Sequence, residues 1–264
     1  PLDIRLAELP RSMRSRLWIQ CGIPAELAQT AANKYRFTPQ NIVLSAERAQ
    51  EKMKALGMAE LSEKLINSAC AEVAETAFGG KATLIQSRFT MDDLILPAAE
   101  KQQITEALYQ IKYRHIVCDR WNFESRLAYG KGLTMLFAGP PGTGKTMAAT
   151  VVAGELGLPA YRVDISQIMS KYIGETEKSL GEIFDAAEKC SAILFFDETD
   201  ALFGKRSEIK DSHDKYANVE TSFLLQRLES FDGIVLMATN LLQNIDEAFI
   251  RRISCIVNFP LPDS

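Results

Sequence analysis

Histidine is nearly missing from this chain: two occur in 264 residues, His115 and His213. Neither has a second ligand spaced nearby, so a histidine-built metal centre has no support. Cysteine is sparse and odd in number, with Cys21, Cys70, Cys118, Cys190 and Cys255. No two of these lie within metal-ligand spacing. A disulfide framework and a zinc site are set aside, which leaves buried thiols in a reduced compartment. No apolar run approaches the ~20 residues of a membrane span. The opening Pro1-Leu2-Asp3-Ile4-Arg5 does not read as a secretory signal. Nor does one sign of charge dominate: 30 basic residues against 34 acidic ones leave −4. That balance argues against a chain coated by nucleic acid or by an anionic membrane. The expectation is a soluble, cytoplasmic protein with no membrane partner.

What is present is ordinary globular material. Apolar residues make up 47% and charged residues 24%, which excludes disorder and low complexity for the bulk of the chain. A chain of this length buries roughly 70–75% of its unfolded surface. Residues 1 to about 80 read as all-helical. Pro24 opens one short helix. Thr38-Pro39 caps a second, whose apolar face is Ile42, Ala46, Ala49 and Met53 and which ends at Gly57. A third spans about 59–78, with Leu61, Leu65, Ala69 and Val73 at near-helical spacing. Gly79-Gly80 breaks the pattern, and 81–90 reads as a linker.

Beyond it, five short apolar runs alternate with helical patterns. The runs are 133–138, 161–165, 192–196, 234–238 and 255–259; the helices are 145–156, 176–189 and 216–231. Continuous apolar runs suit strands covered on both faces, so the pattern predicts an open parallel sheet between layers of helix.

The first of these runs ends in Gly139-Pro140-Pro141-Gly142-Thr143-Gly144-Lys145-Thr146, a full match to G-x-x-x-x-G-K-[ST]. Glycines let the backbone curl until successive N–H groups converge on an anion. The helix N-terminus adds partial positive charge. Lys145 reaches the β- and γ-phosphates, and the Thr146 hydroxyl ligates Mg²⁺. The third run ends in Asp197-Glu198. At the C-terminal edge of a parallel sheet this pair lies beside the phosphate loop. Asp197 then holds Mg²⁺, and Glu198 polarises the attacking water as general base.

Together with the phosphate loop, the run from Phe195 through Asp197, Glu198 and Thr199 to Arg206 resembles the AAA+ ATPase family. Three further segments fit. Ala238-Thr239-Asn240 resembles the family's sensor 1, and 246–252 its arginine-finger segment. Met91 to Leu96 resembles the stretch that lies against adenine. The resemblance covers about residues 90 to 264. It implies an α/β fold, the AAA+ P-loop NTPase large subdomain, with a five-stranded parallel sheet of order 5-1-4-3-2. A small all-α region precedes that subdomain.

The same resemblance implies ATP bound by Asp93, Leu94, Ile95, Pro141, Gly142, Thr143, Gly144, Lys145, Thr146 and Met147, and Mg²⁺ bound by Thr146 and Asp197. Asn240 acts on the attacking water with Glu198, and Arg251 and Arg252 reach the nucleotide of a neighbouring subunit. Lys171-Tyr172-Ile173 resembles the pore loop that grips a threaded polypeptide. The implied partners are further copies of the chain, as a hexameric ring, and a protein substrate. The run 207–218 resembles bacterial AAA+ proteins of phage-tail-like contractile injection systems. Thr199 stands where relatives more often carry a small apolar residue, with little consequence expected.

The family's C-terminal helical lid would begin where this sequence ends, whereas residues 1–80 resemble the lid of a preceding AAA+ module. The expected organisation is therefore 1–80 lid-like, 81–90 linker and 91–264 nucleotide-binding subdomain. A nucleotide-switched assembly module with little turnover is the alternative function. A DNA-acting motor is the weaker one, given the charge and Tyr172.

Overall fold

The computed structural model describes residues 9–86, 88–121, 132–168, 175–199 and 212–261, without the side chains of 114–121, 166–167, 212–220 and 248. The chain divides into two compact units. One is Pro1–Gly80 with Asp185–Ser191, and the other is Lys81–Phe184 with Ala192–Ser264.

The first unit is built on four helices: α1 (Arg11–Gln20), α2 (Ala25–Lys34), α3 (Pro39–Ala55) and α4 (Glu63–Ala77). Their ends follow from local chemistry. The Thr38 hydroxyl accepts the Asn41 N–H, and the Ser62 hydroxyl accepts that of Leu65, so α3 and α4 start on side-chain caps. Gly57 stops α3 at φ +62°. There the Met58 N–H reaches the Met53 carbonyl at 3.0 Å and the Gly57 N–H reaches that of Lys54 at 3.1 Å. This Schellman closure needs a left-handed residue. Alanines at 28, 32, 46, 49 and 69 let the helices approach closely, while Trp18, Tyr35, Phe37 and Ile42 fill the space between them. Tyr35 stacks on Phe37 at 5.3 Å and donates its hydroxyl proton to Asn67 Oδ1 at 2.9 Å.

One charge is taken inside. Arg14 is buried, and its guanidinium donates to the Ala32 carbonyl at 3.1 and 3.3 Å and to the Leu9 carbonyl at 2.6 Å. Ala32 lies in the last turn of α2, where carbonyls have no helical partner.

The second unit is a sheet of six strands: β1 (Ala82–Ile85), β2 (Leu133–Ala138), β3 (Ala160–Val163), β4 (Ile193–Phe196), β5 (Ile234–Thr239) and β6 (Cys255–Asn258), in the order β1-β3-β4-β5-β2-β6. Numbered without β1, the parallel strands run 5-1-4-3-2, as expected. The strand count and the purely parallel character need correction. β1 lies within the stretch read as a linker and pairs antiparallel with β3, Ala82 opposite Val163 and Ile85 opposite Ala160. Four residues after Gly79-Gly80 carry too short a pattern to read as a strand. Pairing supplies what the pattern lacks, because β3 would otherwise leave its outer backbone groups unpaired.

Alternation puts Met135, Phe137, Ile193, Phe195, Leu236 and Ala238 in one apolar cluster with residues of α5 (Ala98–Trp121) and α6 (Lys145–Leu156). On the opposite face Phe196 meets Phe184 of α8 (Glu175–Cys190) at 6.1 Å. Phe184 in turn meets Phe231 edge-on at 5.1 Å, just past α9 (Ser212–Ser230). Both faces of the central strands are thus covered, which accounts for their unbroken apolar runs. The unit also carries, among the described residues, two short α-helices, α7 (Ile165–Ile168) and α10 (Glu247–Ile250), and a 3-10 turn at Leu242–Asn244. Among the described residues no helix is long and apolar enough to cross a membrane.

Replacing Arg14 with Met strands the carbonyls it serves. The expected cost is about 1.5–3 kcal/mol, read as a lower urea midpoint. Arg16, exposed on the same helix, should tolerate the same change within about 0.5 kcal/mol. The Cys70 thiol gives a pH signature. Burial pushes it from 9.0 to about 12. The folded state therefore keeps this proton where the unfolded chain loses it. Stability conferred by Cys70 is complete below pH 9 and declines between 9 and 12. Urea melts of Cys70→Ala against the parent across that range should show a shallower alkaline decline in the variant.

Candidate functional site

Three parallel strands end at one edge of the sheet. The register sets Ala138 of β2 opposite Thr239 of β5, and Phe196 of β4 opposite Met237 of β5. The loops after β2, β4 and β5 therefore start side by side, at the carboxyl edge where open α/β sheets take ligands.

The loop after β2 begins at Gly139, whose N–H donates to the Thr239 carbonyl at 3.1 Å. No side chain fits there, because a Cβ would lie 2.1 Å from the Phe259 carbonyl oxygen. Further on, Gly142 and Gly144 take φ of +81° and +94°. These left-handed positions reverse the chain into α6, so the N-terminal end of that helix faces the loop.

Lys145 begins α6 and is buried. Its Nζ donates to the Gly139 carbonyl at 2.6 Å, the Pro140 carbonyl at 2.8 Å and Asn240 Oδ1 at 2.9 Å. The ammonium is thus held between the phosphate loop and the residue that follows β5. Thr146 is exposed, and its Oγ1 lies 3.5 Å from Asp197 Oδ2. A hydroxyl and a carboxylate are the hard oxygen donors that Mg²⁺ takes. The loop, with its helix N-terminus and lysine, has the donors a polyphosphate takes. The residues present therefore fit both groups.

Glu198 follows at φ +55°, one of two non-glycine residues at positive φ among the described residues. Its N–H donates to Asp197 Oδ1 at 3.1 Å, and its side chain remains exposed. A glutamate held in this sparsely populated conformation stores strain of the kind found at functional positions.

The sequence pattern missed Arg162, and the little consequence expected of Thr199 needs correction. Arg162 of β3 places Nη2 3.2 Å from Asp197 Oδ2, the same oxygen that faces Thr146. Its signal was an arginine inside an apolar run, Tyr161-Arg162-Val163. Thr199 is completely buried, and both its N–H and its hydroxyl donate to the Ala238 carbonyl, each at 2.9 Å.

The remaining candidates are scattered. Leu94 is a core residue, while Ile95 is 88% exposed. The Asp93 carboxylate accepts from the Thr90 N–H at 2.8 Å and hydroxyl at 2.9 Å, which lowers its pKa. Pro141 is exposed, Thr143 is half-buried, and Met147 packs against the main cluster. Arg251 and Arg252 follow α10 and differ. Arg251 is 80% exposed and 3.9 Å from Glu247, whereas Arg252 is 33% exposed with Nε 2.5 Å from Glu229 Oε1. Lys171, Tyr172 and Ile173 lie outside the described residues, as do 200–211.

A phosphate loop between a strand and a helix, with an acidic pair just past the parallel strand one removed from it in the sheet, defines a P-loop nucleotide-binding domain. The family model described as ATPase family associated with various cellular activities (AAA) matches residues 135–261. The chain is 39% identical over 132 residues to an uncharacterized AAA family ATPase of Sinorhizobium fredii, covering 49% of this chain and 39% of the relative. It is 43% identical over 135 residues to a proteasome-activating nucleotidase of Aeropyrum pernix, covering 48% and 33%. It is 31% identical over 192 residues to cell division protein C of Sulfolobus acidocaldarius, covering 67% and 51%. The chain thus spans between a third and about half of the length of these curated relatives. Residues 135–261 are an AAA ATPase domain.

The left-handed turn into α6 can be tested without ligand. A Cβ on Gly144 meets open space, so the cost of Gly144→Ala is torsional. It should amount to about 1–2 kcal/mol, read as a lower urea midpoint.

Proposed function

We propose that this chain hydrolyses ATP with Mg²⁺ at sites completed between subunits of a ring, and that the cycle remodels or threads a protein partner. The observation that carries the reading is the contact of Lys145 with Asn240 at 2.9 Å, beside the Thr146–Asp197 pair at 3.5 Å. It joins three loops, distant in sequence, into one constellation for a nucleotide and its metal.

Each residue has a part that its surroundings allow. The loop amides and Lys145 bind phosphate oxygens and orient them. Thr146 and Asp197 hold the metal, which when bound neutralises charge on the phosphates. Glu198 accepts a proton from the attacking water, and Asn240 orients that water from the end of β5. Arg251 is our choice for the arginine delivered in trans, because it projects into solvent, while Arg252 fastens the segment to α9 through Glu229.

Domain roles follow the same reading. The α1–α4 unit, with a core of its own, supports residues 1–80 as the lid of a preceding AAA+ module and 91–264 as the large nucleotide-binding subdomain. Tyr172, with Lys171 and Ile173, is the proposed grip on a threaded chain. The Aeropyrum relative, named a proteasome-activating nucleotidase, favours action on a protein assembly. The resemblance of 207–218 narrows the partner to a component of a contractile injection system.

The test is the ATPase rate per subunit against protein concentration. A rate that climbs with concentration supports sites completed in trans. Glu198→Gln should keep ATP bound and lose turnover by about 10²-fold or more. Arg251→Ala should lose roughly 10³-fold, far more than Arg252→Ala. Bound ATP with a flat, near-zero rate would instead make the chain a nucleotide-operated switch.

A further inference from the structure

Thr199 makes a connection that a small apolar residue could not. Its N–H and hydroxyl converge on one acceptor, the Ala238 carbonyl, at 2.9 Å each. The side chain is fully buried, so the hydroxyl has no water to turn to and its bond is correspondingly costly to lose. The residue before it is Glu198, left-handed at φ +55°. Two residues beyond the shared acceptor is Asn240, and the intervening Thr239 hydroxyl accepts the Leu241 N–H at 3.1 Å. A strained glutamate is thereby tied, through one backbone atom, to the strand end that carries the residue facing Lys145.

We infer that Thr199 is a positioning residue: its hydroxyl fixes Glu198 against Asn240 so that both address the same water. The backbone N–H bond alone leaves the peptide after Glu198 free to pivot about that single contact. The second bond removes the pivot. This inference rests on the hydrolytic reading above. The hydroxyl should matter to turnover and little to nucleotide binding, because Lys145, Thr146 and the loop amides do not depend on it.

The experiment compares Thr199→Val, Thr199→Ala and Thr199→Ser with the parent. Turnover and the KM for ATP are measured, together with direct binding of a fluorescent ADP analogue. Thr199→Val and Thr199→Ala should lower kcat by roughly tenfold with nucleotide affinity within about twofold, and Thr199→Ser should restore most of the rate. Unchanged kcat in the valine variant would overturn the inference. So would a loss shared equally between kcat and nucleotide affinity that serine fails to rescue, since that pattern marks a general packing role. Residue-resolved amide exchange decides the matter without turnover. Protection of the Glu198 and Thr199 amides should drop about tenfold in Thr199→Ala, hold in Thr199→Ser, and leave Gly157 and Leu158 at the far end of α6 unaffected. Equal protection in all variants overturns the inference. A parent that binds ATP but does not hydrolyse it would count against the hydrolytic reading, and the exchange result would still judge the clamp.

Discussion

At the end of β5 two successive carbonyls face opposite neighbours, and both loops of the site are fastened to them. The Ala238 carbonyl takes the N–H and hydroxyl of Thr199, just past the acidic pair, while the Thr239 carbonyl takes the N–H of Gly139, at the start of the phosphate loop. Adjacent peptides of a strand alternate in direction, so one central strand can brace a loop on each side. Asn240 follows and meets Lys145 at 2.9 Å. Every group in the site is thus placed with respect to a strand buried along its whole length.

That arrangement depends on the sheet being immobile. The central strands are clad on both faces, by α5 and α6 on one side and by the Phe184–Phe196–Phe231 contacts on the other. Close-packed interiors resist displacement, so a strand end set in one becomes a reference point for chemistry. Against that background the left-handed Glu198 and the left-handed glycines of the loop are tolerated as local departures. Gly139 marks the limit of this tolerance, with the Phe259 carbonyl where a side chain would stand.

Much of this was legible in the residues. The apolar runs foretold the five parallel strands because buried strands have no polar face to interrupt them. The phosphate loop announced itself because phosphate binding demands glycine at set positions and a lysine at the helix start. The order of the parallel strands came through the AAA+ resemblance, not from periodicity. β1 was missed because four residues carry too little pattern, and its identity as a strand comes from pairing with β3. Arg162 was missed, and Thr199 was given little weight, for a related reason. What each touches, Asp197 in one case and Ala238 in the other, is a neighbour only across the sheet.

The sequence by itself determined the periodic elements, the caps and glycine stops that bound them, and the residue types that bind phosphate and metal. These are properties of short segments, set by torsions and by bonds to near neighbours. Only the tertiary structure decided that Leu94 is core while Ile95 is open, that Arg251 projects while Arg252 is fastened to Glu229, and that the loops after β2 and β4 share one strand end. Those outcomes turn on which distant residues meet, and the packing of helices on the sheet, with its strand order and register, brings them together.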